Sequence, residues 1–164
     1  MNEADEALRQ RALESAAAVV DPEIPALTIA DLGILREVTV QNAEVEVTIT
    51  PTYSGCPAMT LIALDIQTAL ARAGIANARI RTVLYPAWTT DWLTETARAK
   101  LAATGIAPPR PGASRRALFV QEAPRCPRCG STETEQISEF GSTACKSLHR
   151  CRVCREPFDA FKCH

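Results

Sequence analysis

The spacing of apolar residues changes along the chain and predicts where helices and strands lie. Apolar residues first recur at helical spacing, which predicts a helix over residues 3–19 that ends before Pro22. From residue 45 to 49, valine and isoleucine alternate with glutamate and threonine, which is typical of a strand with one solvent-facing side. Residues 34–40 are the expected partner of this strand, so the pattern predicts a β-hairpin.

A second helix, a third strand and a last helix are predicted after the hairpin. Pro57 suits a first helical turn, and the apolar positions that follow keep helical spacing up to Gly74. Residues 79–84 are mainly β-branched and apolar, which predicts a strand, and residues 91–103 are predicted to form a helix. The order α-β-β-α-β-α predicts an α+β domain over residues 1–107, which is long enough for its own core.

A short segment separates this domain from a cysteine-rich tail. Residues 108–116 are rich in proline and arginine and contain little that could be buried, which is typical of an extended linker. The tail, residues 117–164, holds six of the seven cysteines and both histidines of the chain. We therefore predict a small α+β domain, a linker and a C-terminal domain that resembles a zinc ribbon.

Composition and charge exclude several classes of protein. With 46% hydrophobic residues the chain is globular rather than disordered. No apolar run approaches the roughly 18 residues that a membrane span requires. The N-terminal residues are acidic and lack the features of a secretory or transit peptide, so we expect a cytoplasmic protein. Net charges of −5 for residues 1–107 and +1 for residues 117–164 argue against nucleic acid as a partner.

The tail carries the spacing of a metal site. Cys126 and Cys129 form one C-x2-C pair, Cys151 and Cys154 form another, and 21 residues separate the pairs. Four thiolates at this spacing are typical of one tetrahedral zinc ion, and a closed set of four predicts a structural role. Two alternatives stay open, namely four free buried thiols and an iron–sulfur cluster bound by the same cysteines.

Four further residues of the tail could also bind metal. These are Cys145, His149, Cys163 and His164. They could hold a second ion or replace one ligand of the first, or they could simply pack within the ribbon, since a free cysteine often behaves as a small core residue.

The remaining cysteine, Cys56, lies where a loop is predicted to meet a helix. With Pro57 at the first helical position, Cys56 is predicted to be the N-cap, where the helix dipole would lower the thiol pKa and raise its reactivity. The alternative is an inert cysteine that only caps the helix. Asp21, Glu23 and Asp31 lie in other irregular segments and either approach Cys56 or serve only as local turn residues.

Three motifs of the first domain together resemble the family of iron–sulfur cluster assembly and targeting factors. They are Asp21-Pro22-Glu23, Asp31-Leu32-Gly33 and the segment Thr50 to Pro57. The cysteine pairs, the run Glu139 to Lys146 and the ending Pro157 to His164 extend the resemblance over nearly the whole chain. They resemble the family of accessory proteins of the phenylacetyl-CoA epoxidase system.

This resemblance implies a role in aerobic phenylacetate breakdown. The implied function is to assemble a transient iron–sulfur cluster or deliver it to the reductase of the epoxidase, with Cys56 as the reactive cysteine and Asp21 to Glu23 as its acidic motif. The implied partners are the reductase and oxygenase components. A cluster bridged between two copies, each contributing Cys56, would be labile, so we also predict a second copy of the chain as a partner. An alternative is a noncatalytic structural subunit without metal transfer.

An enzyme that uses Cys56 as a nucleophile has little support. A cysteine nucleophile usually needs a neighbouring base, and the first 148 residues contain no histidine. The sequence therefore predicts an accessory protein.

Overall fold

The computed structural model describes residues 3–112 and 123–162. Within these ranges the chain divides between Trp88 and Thr89 into two compact units, the first over residues 1–88 and the second over residues 89–164. Each unit contains its own sheet and is considered separately.

The first unit packs two helices against a three-stranded sheet. Its elements are α1 (Glu3–Ala17), β1 (Leu35–Gln41), β2 (Glu44–Ile49), α2 (Met59–Arg72) and β3 (Ala78–Thr82). Strand β2 is central, antiparallel to β1 and parallel to β3. Because α2 connects the two parallel strands, it begins at the end of the sheet where β2 finishes.

The alternation of apolar and polar residues along the hairpin determines which face of the sheet is buried. Val45, Val47 and Ile49 of β2 are each at most 1% exposed. The residues between them on β2 lie on the opposite face, which is the more polar one. Ile62 and Ile66 of α2 are fully buried and contribute to the core. The predicted hairpin and the predicted α+β class are confirmed. Apolar residues recur at the helical period in the helices and at the strand period in the strands, so each element has one apolar face that packs inward.

The second unit begins with a short helical region and ends in a four-stranded sheet. A single 3-10 turn covers Thr90–Trp92 and is followed by α3 (Glu95–Ala103), β4 (Ile106–Ala107), β5 (Thr134–Ser138), β6 (Lys146–Cys151) and β7 (Pro157–Phe161). The strand order is β4-β7-β6-β5. Strands β5 to β7 pair antiparallel, and β4 joins β7 in parallel.

The last helix of the α+β order begins later than predicted. Thr94, rather than a residue near position 91, caps α3, because its hydroxyl accepts a hydrogen bond from the Ala97 amide at 3.0 Å. Helix α3 and strand β4 also belong to the second compact unit, whereas the predicted domain boundary lies after residue 107. Which boundary separates independently folding domains stays a prediction.

None of the helices in the described ranges is both long enough and apolar enough to cross a bilayer.

Candidate functional site

Two similar loops carry the cysteine pairs of the second unit. In the first loop the Gly130 amide donates to the Cys126 carbonyl at 2.9 Å, and in the second the Arg155 amide donates to the Cys151 carbonyl at 3.1 Å. Gly130 and Arg155 both adopt the left-handed conformation, with φ of 75° and 66°. The two C-x2-C segments therefore form turns with the same backbone hydrogen bond and the same left-handed residue.

The four cysteine sulfurs converge on one point. All of them lie within 4.8 Å of one another, and the Cys126–Cys154 and Cys129–Cys151 pairs are each 3.6 Å apart. A tetrahedral ion with metal–sulfur bonds of about 2.3 Å requires sulfurs about 3.8 Å apart. The geometry fits a single tetrahedral ion. A multi-iron cluster would need its thiolates farther apart, because they attach to different iron atoms.

Backbone amides and neighbouring thiols shift the pKa values of Cys151 and Cys154 in opposite directions. The amide of Cys154, followed by that of Val153, donates to the Cys151 sulfur and lowers the pKa of Cys151 to about 7. The Glu156 amide acts to lower the pKa of Cys154, but burial and the adjacent thiols together raise that pKa to about 12. Four thiols this close cannot all ionise unless a cation joins them.

The other predicted ligands of the tail do not join this group. Among the described residues, the group of potential metal ligands contains only the four paired cysteines. The Cys145 sulfur lies 3.1 Å from the Thr143 hydroxyl, beyond the opposite end of β6 from Cys151. His149 Nε2 lies 2.9 Å from the Ser147 hydroxyl, and burial lowers the pKa of the imidazole. Cys163 and His164 lie outside the described residues.

The loop that carries Cys56 differs from its sequence prediction. Cys56 donates its amide to the Tyr53 carbonyl at 3.1 Å and closes a turn of its own. Helix α2 therefore starts at Met59, and Ala58 is its N-cap. The prediction that Cys56 is the N-cap is wrong, because the turn delays the helix by two residues.

The environment of the Cys56 thiol also differs from the prediction. Burial raises its pKa above the usual value, and the carboxylates of Glu23 and Asp21 raise it further. The Ala58 amide and the Thr52 hydroxyl hydrogen-bond to the sulfur and partly oppose this effect. The predicted lowering of the thiol pKa is wrong because desolvation and two carboxylates outweigh one amide and one hydroxyl.

The acidic residues singled out from the sequence have local roles as well. Asp21 Oδ1 accepts hydrogen bonds from the amides of Glu23 and Ile24, both at 2.8 Å. Asp31 and Thr28 form a reciprocal pair in which each side chain accepts from the amide of the other, at 3.1 and 3.0 Å. Asp21 thus orders a turn and also acts on Cys56, whereas the contacts of Asp31 with Thr28 shape a second turn.

One contributor to the metal centre was missed by sequence reasoning. Ala107 of β4 is 1% exposed and belongs to the same buried cluster as Cys126 and Cys151. A two-residue strand carries no periodic signal, so only the Ile-Ala pair after Gly105 could have indicated it.

The fold and the two sites define a class of protein, a small α+β domain with a half-buried cysteine joined to a ribbon with four clustered cysteines. The family "Iron-sulfur cluster assembly protein" matches residues 9–81, and the family "PaaD zinc beta ribbon domain" matches residues 110–162. An Escherichia coli protein, named as one of the subunits of a "Putative 1,2-phenylacetyl-CoA epoxidase", is 52% identical over 88% of this chain and 87% of its own. The chain therefore belongs to the PaaD family.

More distant relatives match a part of the chain. The "Fe-S protein maturation auxiliary factor YitW" of Bacillus subtilis is 29% identical over 59% of this chain and 96% of its own. A Fe-S protein maturation auxiliary factor of Porphyromonas gingivalis is 34% identical over 51% of this chain and 80% of its own. A crystal structure of a DUF59 domain from Bacillus anthracis has a TM-score of 0.55 and 27% identity, covering 60% of this chain and 94% of that one.

The two left-handed positions in the cysteine loops generate a first prediction. Arg155→Gly should raise the free energy of unfolding by up to about 1 kcal/mol, because only glycine adopts a positive φ without strain. Gly130→Ala should lower it by about 1–2 kcal/mol for the same reason. Urea unfolding of the metal-loaded protein measures both values. Arg155→Ala is the control, since it removes the side chain but keeps the Cβ atom. An equal gain in Arg155→Ala and Arg155→Gly would contradict the explanation.

The carboxylates beside Cys56 generate a second prediction. Glu23→Gln should lower the pKa of the Cys56 thiol, because it removes a negative charge that disfavours the thiolate. Alkylation of Cys56 at pH 8, followed by mass spectrometry of the modified peptide, should therefore be faster than in the wild type. Glu44→Gln, at the exposed first position of β2, is the matched control and should leave the rate unchanged. A slower reaction in Glu23→Gln would refute the electrostatic account.

Proposed function

We propose that this chain is a maturation factor that holds an iron–sulfur cluster transiently at Cys56 and delivers it to the reductase component of the phenylacetyl-CoA epoxidase system. The observation that carries the proposal is the half-buried Cys56 beside Asp21 and Glu23, in a unit that matches the iron–sulfur cluster assembly family. The relatives named as maturation factors support a role as a maturation factor. The epoxidase name of the Escherichia coli relative supports the epoxidase system as the recipient of the cluster.

The raised pKa of Cys56 suits a cargo that must be released. When iron binds, the thiol loses its proton to solvent and a sulfur–iron bond forms. When a client thiolate replaces Cys56 on the iron, that bond breaks and Cys56 regains a proton, with no change of oxidation state. Because the pKa of Cys56 is raised by burial and by two carboxylates, protons compete well with iron and keep the complex weak.

A single cysteine supplies only one ligand of a cluster. We propose that a second copy of the chain contributes its own Cys56, so that the cluster bridges two chains until the client takes it. Such a bridged cluster has few protein ligands and is labile.

The ribbon cysteines suit a permanent ion instead. We propose zinc, held by Cys126, Cys129, Cys151 and Cys154, because four thiolates close a tetrahedral site and the sulfur spacing fits one ion. Bound zinc would supply charge that keeps all four thiolates ionised. With no open coordination position the ion would stabilise the fold, and the ribbon would serve in docking to the oxygenase and reductase components. We expect this assembly in the cytoplasm, where thiols stay reduced.

The name of the Escherichia coli relative, which describes a subunit of the epoxidase, favours a second candidate function. In this alternative the chain is a noncatalytic structural subunit that holds the epoxidase together without metal transfer. It predicts stable co-purification with the oxygenase and a reductase with normal cluster content when this chain is absent.

The third prediction separates these functions. Anaerobic reconstitution of the zinc-loaded protein with iron and sulfide should give the visible absorbance of an iron–sulfur cluster, and Cys56→Ala should abolish it. Cys145→Ala is the matched control, because it removes a cysteine of the other unit that lies outside the group of four clustered cysteines, and it should retain the absorbance. Raising the pH from 7 to 9 should increase cluster occupancy of the wild type, since iron then competes with fewer protons. An unchanged spectrum in Cys56→Ala would remove this residue from the mechanism.

A further inference from the structure

A strand from outside the cysteine-rich tail completes the ribbon. In β4, Ile106 pairs with Asp159 and Ala107 pairs with Ala160 of β7. Ala107 and Ala160 belong to the buried cluster that also contains Cys126, Cys151 and Phe158. The small apolar core beside the cysteines is therefore built partly by residues that precede the segment matched by the ribbon family.

Hydrogen bonds connect different parts of the chain around β4. We call this part the connector segment and define it as residues 89–112. The buried guanidinium of Arg98 in α3 donates to the Thr90 carbonyl at 2.9 Å and also to the Pro109 carbonyl. The Gly112 amide donates to Asp91 Oδ1 at 3.0 Å. The Arg98 contacts join both ends of the connector segment to α3, and the Gly112–Asp91 hydrogen bond joins the two ends to each other, so helix and strand are expected to dock on β7 or leave it together.

The position of β7 depends in turn on the second cysteine loop. Strand β6 ends at Cys151, whose amide donates to the Glu156 carbonyl at 3.0 Å, and β7 begins at the next residue, Pro157. An ion bound to Cys151 and Cys154 fixes this loop, and with it the start of β7. Because β4 has only two residues, it pairs with β7 only when β7 is already in place.

We propose that metal binding by the ribbon and docking of the connector segment are one coupled event, so that metal occupancy orders the connector segment. This goes beyond cluster delivery and rests only on the metal site proposed for the four cysteines. Coupling of this kind is reciprocal, so docking of β4 also strengthens metal binding. Loss of the ion releases the connector segment while the first unit keeps its fold.

Hydrogen exchange of the full chain, with zinc bound and after chelation, tests the coupling. Removing zinc should speed exchange of the amides of α3 and β4 by at least about tenfold, in step with those of β6 and β7. Exchange in α1 and α2 should not change and serves as the internal reference. If zinc binds but exchange in α3 and β4 is the same in both states, the coupling is overturned and the metal site stands. If no metal binds, both are overturned.

Two variants in which valine replaces alanine test the reciprocal effect of β4 docking on metal binding. Ala107→Val adds two methyl groups to a site that is 1% exposed, and overpacking of this size should weaken zinc binding about tenfold. Ala102→Val adds the same groups to the exposed face of α3 and should change the affinity less than about twofold. Competition with a chromophoric chelator measures both affinities. Equal affinities in the two variants would overturn the contribution of β4 to the metal site.

Discussion

The second unit depends on the charge balance among four cysteine sulfurs that lie within 4.8 Å of one another. Thiols at this distance stay partly protonated, whereas a cation bound among them lets all four ionise. The cation also holds both cysteine loops in place. The buried cluster of the ribbon is small, with Phe158 its one large side chain. A core of this size needs an additional constraint to fold, so metal coordination replaces the hydrophobic burial that a larger domain would use.

The two kinds of cysteine in this chain illustrate opposite solutions for binding metal. The sulfurs of Cys151 and Cys154 accept hydrogen bonds from backbone amides, and all four ribbon sulfurs form a closed set that suits a permanent ion. Cys56 is half buried near the carboxylates of Asp21 and Glu23, which disfavour its thiolate and suit temporary binding. The acidic motif beside Cys56 thus has an electrostatic consequence for the thiol in addition to its role in a turn.

The elements predicted with success were those with a local signal. The β1-β2 hairpin follows from alternation at Val45, Val47 and Ile49, and the cysteine loops follow from C-x2-C spacing, which fixes the turn geometry within a few residues. Two of the failures arose where distant segments meet. The pKa of Cys56 depends on Glu23 and Asp21 from a separate loop, and β4 exists only because β7, far along the chain, pairs with it. The pattern of apolar and polar residues around Cys56 and around β4 indicates neither contact.

The function proposed for Cys56 is the delivery of a cluster to the epoxidase reductase. The most direct test is the iron and sulfide content of that reductase, purified from cells that produce this chain either as wild type or as Cys56→Ala at equal levels. Our account predicts a reductase depleted of its cluster in cells with Cys56→Ala. A reductase with the same iron and sulfide content in both cell types would contradict it.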